Sequence, residues 1–399
     1  TAICLERAVA LQSGSAVPAP PTRPSLPRAR VLAYLAPLAA GTGGLLALAQ
    51  VVAPEITTHL ATALGSHATD PTVTAPATTR LLPGLAWCAA MAGLTAIYTV
   101  VWFRRQRSVA LLVQLLGSVC GLCGIALWTR GLPVAHIVVW WLAFLVLTII
   151  GERLELARIS FLSRGTEPRV LAESLVLVLS LPLTLAAPEW GYALLGLSLG
   201  ALVLDVGWHD VARRTVRLSG LPRLAGACML TGYAWALVPA LMWLIAGPAL
   251  SGHPYDTVVH ALTLGFTMSM VLAHAPIIVP AIARREIPYH PVMWVVWGLL
   301  EVGLLVRVVA GVRASEGAWR LGGTLGVVAL LTFLVTTLGL VTLTSHRATA
   351  RSRDVRMSTP DEGEAALIDA RERRDTVQGS STTTPADPAT APGDRERRS

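Results

Sequence analysis

The segment VVHALTLGFTMSMVLAHAPIIVPA, residues 258–281, is apolar almost throughout. A helix needs about 20 mostly apolar residues to cross the hydrocarbon core of a bilayer, and this segment is long enough to do so. It nevertheless contains two histidines, His260 and His274, fourteen positions apart. The segment therefore predicts a membrane-spanning helix that carries ionisable side chains at two depths.

The whole chain has the composition of an integral membrane protein. Of its 399 residues, 53% are hydrophobic and only 14% are charged, whereas an average soluble domain has about 25% charged residues. The mean hydropathy is +0.59. We predict an all-α, polytopic transmembrane helix bundle with about ten spanning helices. The predicted spans are residues 31–53, 81–103, 109–129, 132–150, 170–187, 190–207, 225–247, 256–283, 291–312 and 320–344.

The arginines predict the orientation of the chain in the membrane. The net charge is +8 and the chain has no lysine. A cytoplasmic N-terminus places the arginine-rich connectors in the cytoplasm, as the positive-inside rule favours. We therefore expect both termini in the cytoplasm, the lipid bilayer as a partner of the chain, and no nucleic-acid partner. The bias towards Ala, Arg and Leu suggests a bacterial genome, so the expected location is the bacterial cytoplasmic (inner) membrane.

Two segments outside the predicted bundle differ from it in composition. Residues 1–30 contain the proline-rich sequence APPTRPSLPRAR and are interpreted as a flexible cytoplasmic segment. Residues 345–399 are low in apolar residues and rich in Arg, Asp, Thr and Pro, which predicts a disordered cytoplasmic tail. The predicted transmembrane helical domain is therefore residues 31–344.

The two histidines of the opening segment lie on one face of a regular α-helix. Fourteen residues make close to four turns, so the rings fall within about 40° of each other and about 21 Å apart along the axis. Thr263, Thr267 and Met270 lie between them at spacings of three and four, the helical template for one stripe. Imidazoles at two depths on one helix are typical of membrane b-type cytochromes, and a thioether favours Cu(I). We interpret His260, His274 and Met270 as candidate metal ligands.

Other spans supply candidate partners for these histidines. His136 lies about as far from the predicted outer edge as His260, and His290 follows a short hairpin after His274. Each pair is a candidate set of two ligands for haem or copper. The alternatives stay open: His136 as an interfacial histidine in an aromatic belt, and His274 as a histidine that donates to a carbonyl in a proline-bent packing helix.

Two charged residues of the ninth predicted span add to the candidate site. Glu301 is deep in the span, and Arg307 is six residues later on a different face, so the two need different partners. Glu301 is a candidate proton-transfer group or acceptor for an imidazole, and Arg307 a candidate partner of a haem propionate or a substrate anion. A structural ion pair is the alternative for either. Glu152 and Arg153 are interpreted as the charged cytoplasmic end of the fourth span.

Three short motifs resemble the NnrS-type membrane proteins: HALTLG at 260–265, HAP at 274–276 and PYHP at 288–291. That family is associated with haem and copper and with the response to nitric oxide, and it is distantly similar to the catalytic subunit of haem-copper oxidases. The resemblance covers chiefly the eighth and ninth predicted spans. It implies b-type haem, copper or both as cofactors, and a bundle of more helices than the ten predicted here.

These observations favour an integral membrane protein that binds haem, copper or both and that acts in redox chemistry or in the handling of nitric oxide or metal stress. Such a role implies a redox partner. No residue is assigned a catalytic role, and whether the chain is an enzyme stays open, as does its oligomeric state. Two alternatives remain: a proton-coupled transporter that uses the His and Glu residues as a relay, and a non-catalytic membrane assembly protein whose histidines lock helix packing.

Overall fold

The computed structural model describes residues 39–45, 75–104, 107–156, 165–283 and 289–358, and in these ranges it contains helices and no strand. The all-α prediction is confirmed for this part of the chain. The helices, in chain order, are α1 (Ala75–Arg104), α2 (Val109–Thr129), α3 (Val134–Leu156), α4 (Thr166–Ala186), α5 (Pro188–His209), α6 (Ala212–Thr215), α7 (Leu221–Ala246), α8 (Gly252–His260), a π-helical segment (Ala261–Met268), α9 (Ser269–Ala283), α10 (Val292–Val312) and α11 (Glu316–Ser358).

Nine helical stretches in the described ranges are long and apolar enough to cross a membrane. Each corresponds to one predicted span, although several ends differ by some residues. The remaining predicted span, residues 31–53, falls mostly outside the described residues, where only 39–45 are seen as helix. The chain is a multi-pass membrane protein, and the count of ten spans stays a prediction.

One span departs from regular α-helical geometry. α8 continues without a break into the π-helical segment and then into α9, and we call this whole stretch the interrupted helix. The i→i+5 hydrogen bonds of a π segment widen its turns. A side chain follows the same geometry: the Thr267 hydroxyl donates to the Leu262 carbonyl, five residues back, at 2.8 Å. The prediction of one regular α-helical stripe from His260 to His274 is therefore wrong, because the rotation per residue changes between them.

Helices that are neighbours in the chain pack against each other. α1 packs on α2, α2 on α3 and α4 on α5, while α7 contacts α5 and the interrupted helix. The α4–α5 pair is joined by Ala187 alone, and a Cβ at Gly191 would overlap the backbone of Thr184. Buried leucines such as Leu181 and Leu195 belong to the same core. The interrupted helix lies beside α3, α7 and α10.

The chain divides into two compact units, residues 1–339 and residues 340–399. In the second unit, helix α11 continues to Ser358. The predicted start of a disordered tail, at residue 345, therefore falls within a helix. The predicted N-terminal segment 1–30 and residues 359–399 lie outside the described residues.

Replacing Gly191 by Ala is expected to destabilise the bundle, because the added methyl group overlaps the Thr184 backbone and one helix must shift. Such overpacking costs about 1–3 kcal/mol. Gly200→Ala is the matched control, since its Cβ meets only the Ala240 side chain, at 3.7 Å, and alanine has the higher helix propensity. Thermal unfolding in detergent measures both. Equal unfolding temperatures would contradict the close α4–α5 contact.

Candidate functional site

Ionisable and hydrogen-bonding side chains gather at three levels of the interrupted helix. Each level forms a cluster that joins this helix to at least two other elements. The Asp256 cluster contains Asp256, His260, Arg307 and Trp319. The Glu301 cluster contains Glu301, Trp235 and Ser269. The His274 cluster contains Arg153, Asp210, Tyr233 and His274.

The His274 cluster is built around a buried ion pair. Arg153 of α3 donates from Nε to Oδ2 of Asp210 at 3.0 Å and from Nη2 to Oδ1 at 2.7 Å. The Tyr233 hydroxyl of α7 donates to Asp210 Oδ2 at 2.6 Å. The Arg153 and Asp210 side chains are 6% and 0% exposed. A fork of two charge-assisted bonds is the strongest way for arginine to hold a carboxylate, and the buried hydroxyl adds a third donor.

The same arginine determines the tautomer of His274. Arg153 Nη1 lies 2.8 Å from His274 Nε2, and a guanidinium can only donate hydrogen bonds. Nε2 is therefore the acceptor, so the ring proton is on Nδ1, which lies 2.6 Å from the Met270 carbonyl and donates to it. His274 is neutral in this arrangement. A proton added to Nε2 would break its contact with Arg153.

The connector after α5 holds Asp210 in place. Asp210 directly follows His209, the last residue of α5, and its Oδ1 accepts the Ala212 N–H at 2.9 Å. Asp210 therefore fixes the start of α6 while it binds Arg153 and Tyr233. The cluster ties α3, α7, the interrupted helix and this connector together.

The Asp256 cluster repeats the arginine fork at the other end of the interrupted helix. Arg307 of α10 donates from Nε to Asp256 Oδ2 at 2.8 Å and from Nη2 to Oδ1 at 2.7 Å. Trp319 of α11 donates from Nε1 to Oδ2 at 3.1 Å, and its ring lies 4.0 Å from the guanidinium carbon. His260 Nδ1 is 2.8 Å from the Asp256 carbonyl and 3.2 Å from Oδ1. Arg307 and Glu301 thus have different partners, as expected.

Two glycines of α11 make room for Arg307. A Cβ at Gly323 would overlap the guanidinium, and one at Gly322 would overlap the carbonyl of Gly303. The close approach of α10 and α11 is therefore possible because these positions lack side chains. The arginine reaches Asp256 through this gap.

The Glu301 cluster lies at the middle of α10, since Glu301 is close to the midpoint of Val292–Val312. Trp235 of α7 donates from Nε1 to Oε2 at 2.6 Å, and the Ser269 hydroxyl donates to Oε1 at 3.0 Å. Trp235 can lie this close because Gly265, in the π-helical segment, has no Cβ to meet its ring. Among the described residues, no basic side chain forms an ion pair with Glu301.

A second hydrogen bond links α7 and α10 one helical turn from the Trp235–Glu301 bond. Trp297 donates from Nε1 to the Thr231 hydroxyl at 3.3 Å. Trp297 precedes Glu301 by four residues and Thr231 precedes Trp235 by four residues, so the two bonds are successive rungs between the same helices. The two bonds place one indole against the carboxylate and a second indole one turn away.

The structure places the other predicted site residues apart from these contacts. His136 Nδ1 is buried and has no hydrogen-bond partner in the described part of the chain. His290 is exposed, and its Nδ1 accepts the Val292 N–H at 3.2 Å. The Met270 methyl group packs beside Gly232 of α7. In the described ranges, no hydrogen bond joins two of the four candidate histidines, and their role as shared ligands stays a prediction.

A haem iron or a copper ion needs imidazole nitrogens that are free to coordinate. Both ring nitrogens of His274 have partners, so coordination there requires Arg153 to move away. His260 differs, because its Nδ1 contacts the Asp256 carbonyl and this orientation leaves Nε2 for a ligand. In the described ranges, no group of three His, Cys, Asp or Glu side chains could hold a metal ion.

Sequence reasoning missed the roles of three charged residues of these clusters: Arg153, Asp210 and Asp256. It also did not single out their uncharged donors, Tyr233, Trp235, Ser269 and Trp319. It ended the fourth span at residue 150, but α3 continues to Leu156 and carries Arg153 into the bundle. Asp210 lies in a polar connector, where sequence alone gives no sign of burial. A signal did exist for Asp256, which precedes His260 by four residues and so shares its helix face.

Comparison with known proteins gives one match. A family model described as "Domain of unknown function (DUF8744)" matches residues 1–342. No curated protein and no solved structure matches the chain. The matched range includes all three clusters and the nine described spans.

Replacing Arg153 by Met is expected to destabilise the protein by about 3–5 kcal/mol, because it leaves the Asp210 carboxylate buried without a positive partner. Arg169→Met is the control: Arg169 binds Asp205 through a similar fork, but its side chain is 55% exposed, so its loss should destabilise the protein far less. Thermal unfolding in detergent compares the two. Equal decreases in unfolding temperature would mean that the buried Arg153–Asp210 pair does not stabilise the bundle more than the surface Arg169–Asp205 pair does.

Proposed function

The chain belongs to the family described as domain of unknown function DUF8744, and we propose that it is a proton-coupled membrane transporter in which Glu301 carries the proton. The observation that carries this proposal is the position of Glu301 at the middle of α10, with hydrogen-bond donors but no described basic partner. Intramembrane carboxylates of this kind are typical of proton relays and substrate pathways.

The energetics of a charge in lipid support a proton at Glu301. A carboxylate at the centre of a spanning helix costs about 2.5–3.5 kcal/mol on insertion scales. Arginines offset this cost for Asp210 and Asp256. Glu301 has an indole N–H and a hydroxyl instead, and these donors partly stabilise the ionised form. A proton removes the remaining charge, so the residue is suited to both states.

The interrupted helix is the element suited to movement. π-helical turns inside α-helices are frequent at functional sites, and many secondary transporters bind their solutes at discontinuous helices. Ser269 is five residues before His274, about 8 Å along an α-helical axis, and it is separated from His260 by the whole π-helical segment, Ala261–Met268. Both separations are longer than a hydrogen bond. Proton transfer between the clusters therefore requires intervening water or a shift of the helix.

The two arginine forks serve as gates at the ends of this helix. At His274, a proton on Nε2 places two positive groups together and favours release of the ring from Arg153. The Arg153–Asp210 pair then remains intact while the interrupted helix moves. The Asp256 cluster holds the other end through Arg307 and Trp319.

We place both termini in the cytoplasm and the chain in the bacterial cytoplasmic membrane. The arginine-rich connectors support this orientation under the positive-inside rule. They contain Arg104, Arg105, Arg107, Arg158, Arg164, Arg213, Arg214, Arg217, Arg223, Arg284 and Arg285. In this orientation the His274 cluster faces the cytoplasmic side and the Asp256 cluster the outer side.

Haem or copper binding at His260 is the second candidate function. The observation that favours it is the contact of Nδ1 with the Asp256 carbonyl, because ligating histidines are usually oriented by such a bond. When bound, the group would supply redox chemistry or affinity for nitric oxide. The residues of the Asp256 cluster would orient the ring and neutralise nearby charge.

Glu301→Gln is expected to abolish proton-driven charge movement, because a side-chain amide does not take up or release a proton when the pH is changed. The measurement is the transient current from proteoliposomes on a solid-supported membrane after a rapid step to acid pH without added solute. The control is Glu316→Gln, whose side chain is 62% exposed in the parent and which should retain the wild-type current. Equal currents in the wild type and in Glu301→Gln would contradict the proposed function.

Visible spectra of the purified protein, oxidised and reduced, with iron and copper measured on the same sample, test the second candidate. Stoichiometric cofactor that is lost in His260→Ala and kept in His209→Ala is the expected result if His260 is a ligand. His209 is a matched control, because its Nδ1 also contacts a carbonyl four residues back, at 2.9 Å. A protein without cofactor after expression with added haem and copper would remove this candidate.

A further inference from the structure

We infer that the Glu301 cluster is the solute site and that the solute is a monovalent organic cation, an ammonium or phosphonium group on an apolar body, which exchanges with the proton on Glu301. This inference rests on the proposed function and adds the chemical class of the solute. The charge of Glu301, the neighbouring indoles and an adjoining apolar cavity each favour this class.

The charge balance at Glu301 leaves room for one positive charge. Arginines neutralise Asp205, Asp210 and Asp256, whereas Glu301 receives only two hydrogen bonds from uncharged donors. One proton or one monovalent cation completes the balance, and a single carboxylate does not hold both. Competition for this group therefore couples movement of a proton in one direction to movement of one cation in the other. The complete exchange is therefore electroneutral, and the current that follows a pH step without the cation is the transient displacement of the proton that binds to Glu301.

The neighbouring side chains fit an organic cation better than a metal ion. Trp235 contacts the carboxylate through the N–H edge of its indole. Trp297 lies one turn away, and its ring centroid is 5.4 Å from that of Trp294 in an edge-to-face pair. Indole faces attract organic cations, whereas hard metal ions such as Ca²⁺ and Mg²⁺ require about six or more oxygen ligands. Apart from the carboxylate, the described contacts supply only the Ser269 and Thr231 hydroxyls.

An apolar cavity adjoins the cluster and suits the body of such a cation. It lies between α7, α9, α10 and α11 and is lined by Cys228, Leu272, Pro276, Met293, Val296 and Phe333, among others. Val296 directly precedes Trp297, and Cys228 is three residues before Thr231, so the cavity begins within a turn of the two rungs.

The cavity must widen to take a solute. Its volume is about 20 Å³, enough for about one water molecule. Pro276 provides the means, because it lacks an N–H and weakens the hydrogen bonding of α9 at the cavity wall. The cavity is therefore the closed form of the site, and separation of α9 from α10 opens it.

Equilibrium dialysis of methyltriphenylphosphonium against the purified full-length protein tests this inference. The probe has a permanent charge and an apolar body. We expect one bound cation per chain at alkaline pH, release of a proton on binding from the protonated protein, and an affinity that falls by about tenfold per pH unit once Glu301 is protonated. Neutral triphenylphosphine oxide should not bind.

Four variants separate the contributions to binding. Glu301→Gln should abolish binding, while Glu301→Asp keeps the charge and should bind the probe. Thermal unfolding of Glu301→Gln at the wild-type temperature excludes misfolding as the cause. Trp297→Leu should weaken binding by about tenfold through loss of a cation–π contact. Trp190→Leu, which removes an indole that is 76% exposed, should leave it unchanged.

Three outcomes would overturn the inference: no binding to the wild type, undiminished binding to Glu301→Gln, or displacement of the probe by sodium at equal concentration. The pH-step current distinguishes the two proposals. A Glu301-dependent current without probe binding overturns the solute class alone. Absence of both overturns the solute class and proton-coupled transport together.

Discussion

A carboxylate inside a bilayer requires a positive charge, a set of hydrogen-bond donors or a proton to offset the loss of water. Asp210 and Asp256 meet this requirement in the same way, each through two hydrogen bonds from one arginine. Glu301 meets it with an indole and a hydroxyl. The two outer clusters of the interrupted helix thus contain complete ion pairs. Glu301, the carboxylate beside the middle of this helix, is the one at which we propose that a proton exchanges with a cation.

Close helix contacts make these pairings possible. Gly322 and Gly323 let α10 approach α11 so that Arg307 reaches its aspartate, and Gly265 lets Trp235 reach Glu301. Small residues allow such approaches in membranes, where burial of apolar surface does not drive helices together. The polar clusters and the glycines therefore depend on each other: the glycines permit the contact distances, and the hydrogen bonds hold the helices there.

The spans were predictable because hydropathy is a local property: each of the nine described spans corresponds to an apolar segment of sufficient length. The depth of Glu301 and the separate partners of Arg307 followed from position and spacing alone. The π-helical segment did not, since no residue pattern marks where i→i+5 bonds replace i→i+4 bonds, and the single stripe from His260 to His274 was wrong for that reason. The burial of Arg153 was also invisible, because it depends on Asp210, which is distant in sequence.

The central claim is that Glu301 changes its protonation state. Infrared difference spectra of the reconstituted protein, recorded between acid and alkaline pH for the wild type and for Glu301→Gln, test it most directly. The account predicts a protonated-carboxyl C=O band that appears on acidification in the wild type and is missing from the variant. Wild-type and variant spectra without any Glu301-dependent change would contradict it, and would make Glu301 a fixed acceptor that pins α7 to α10.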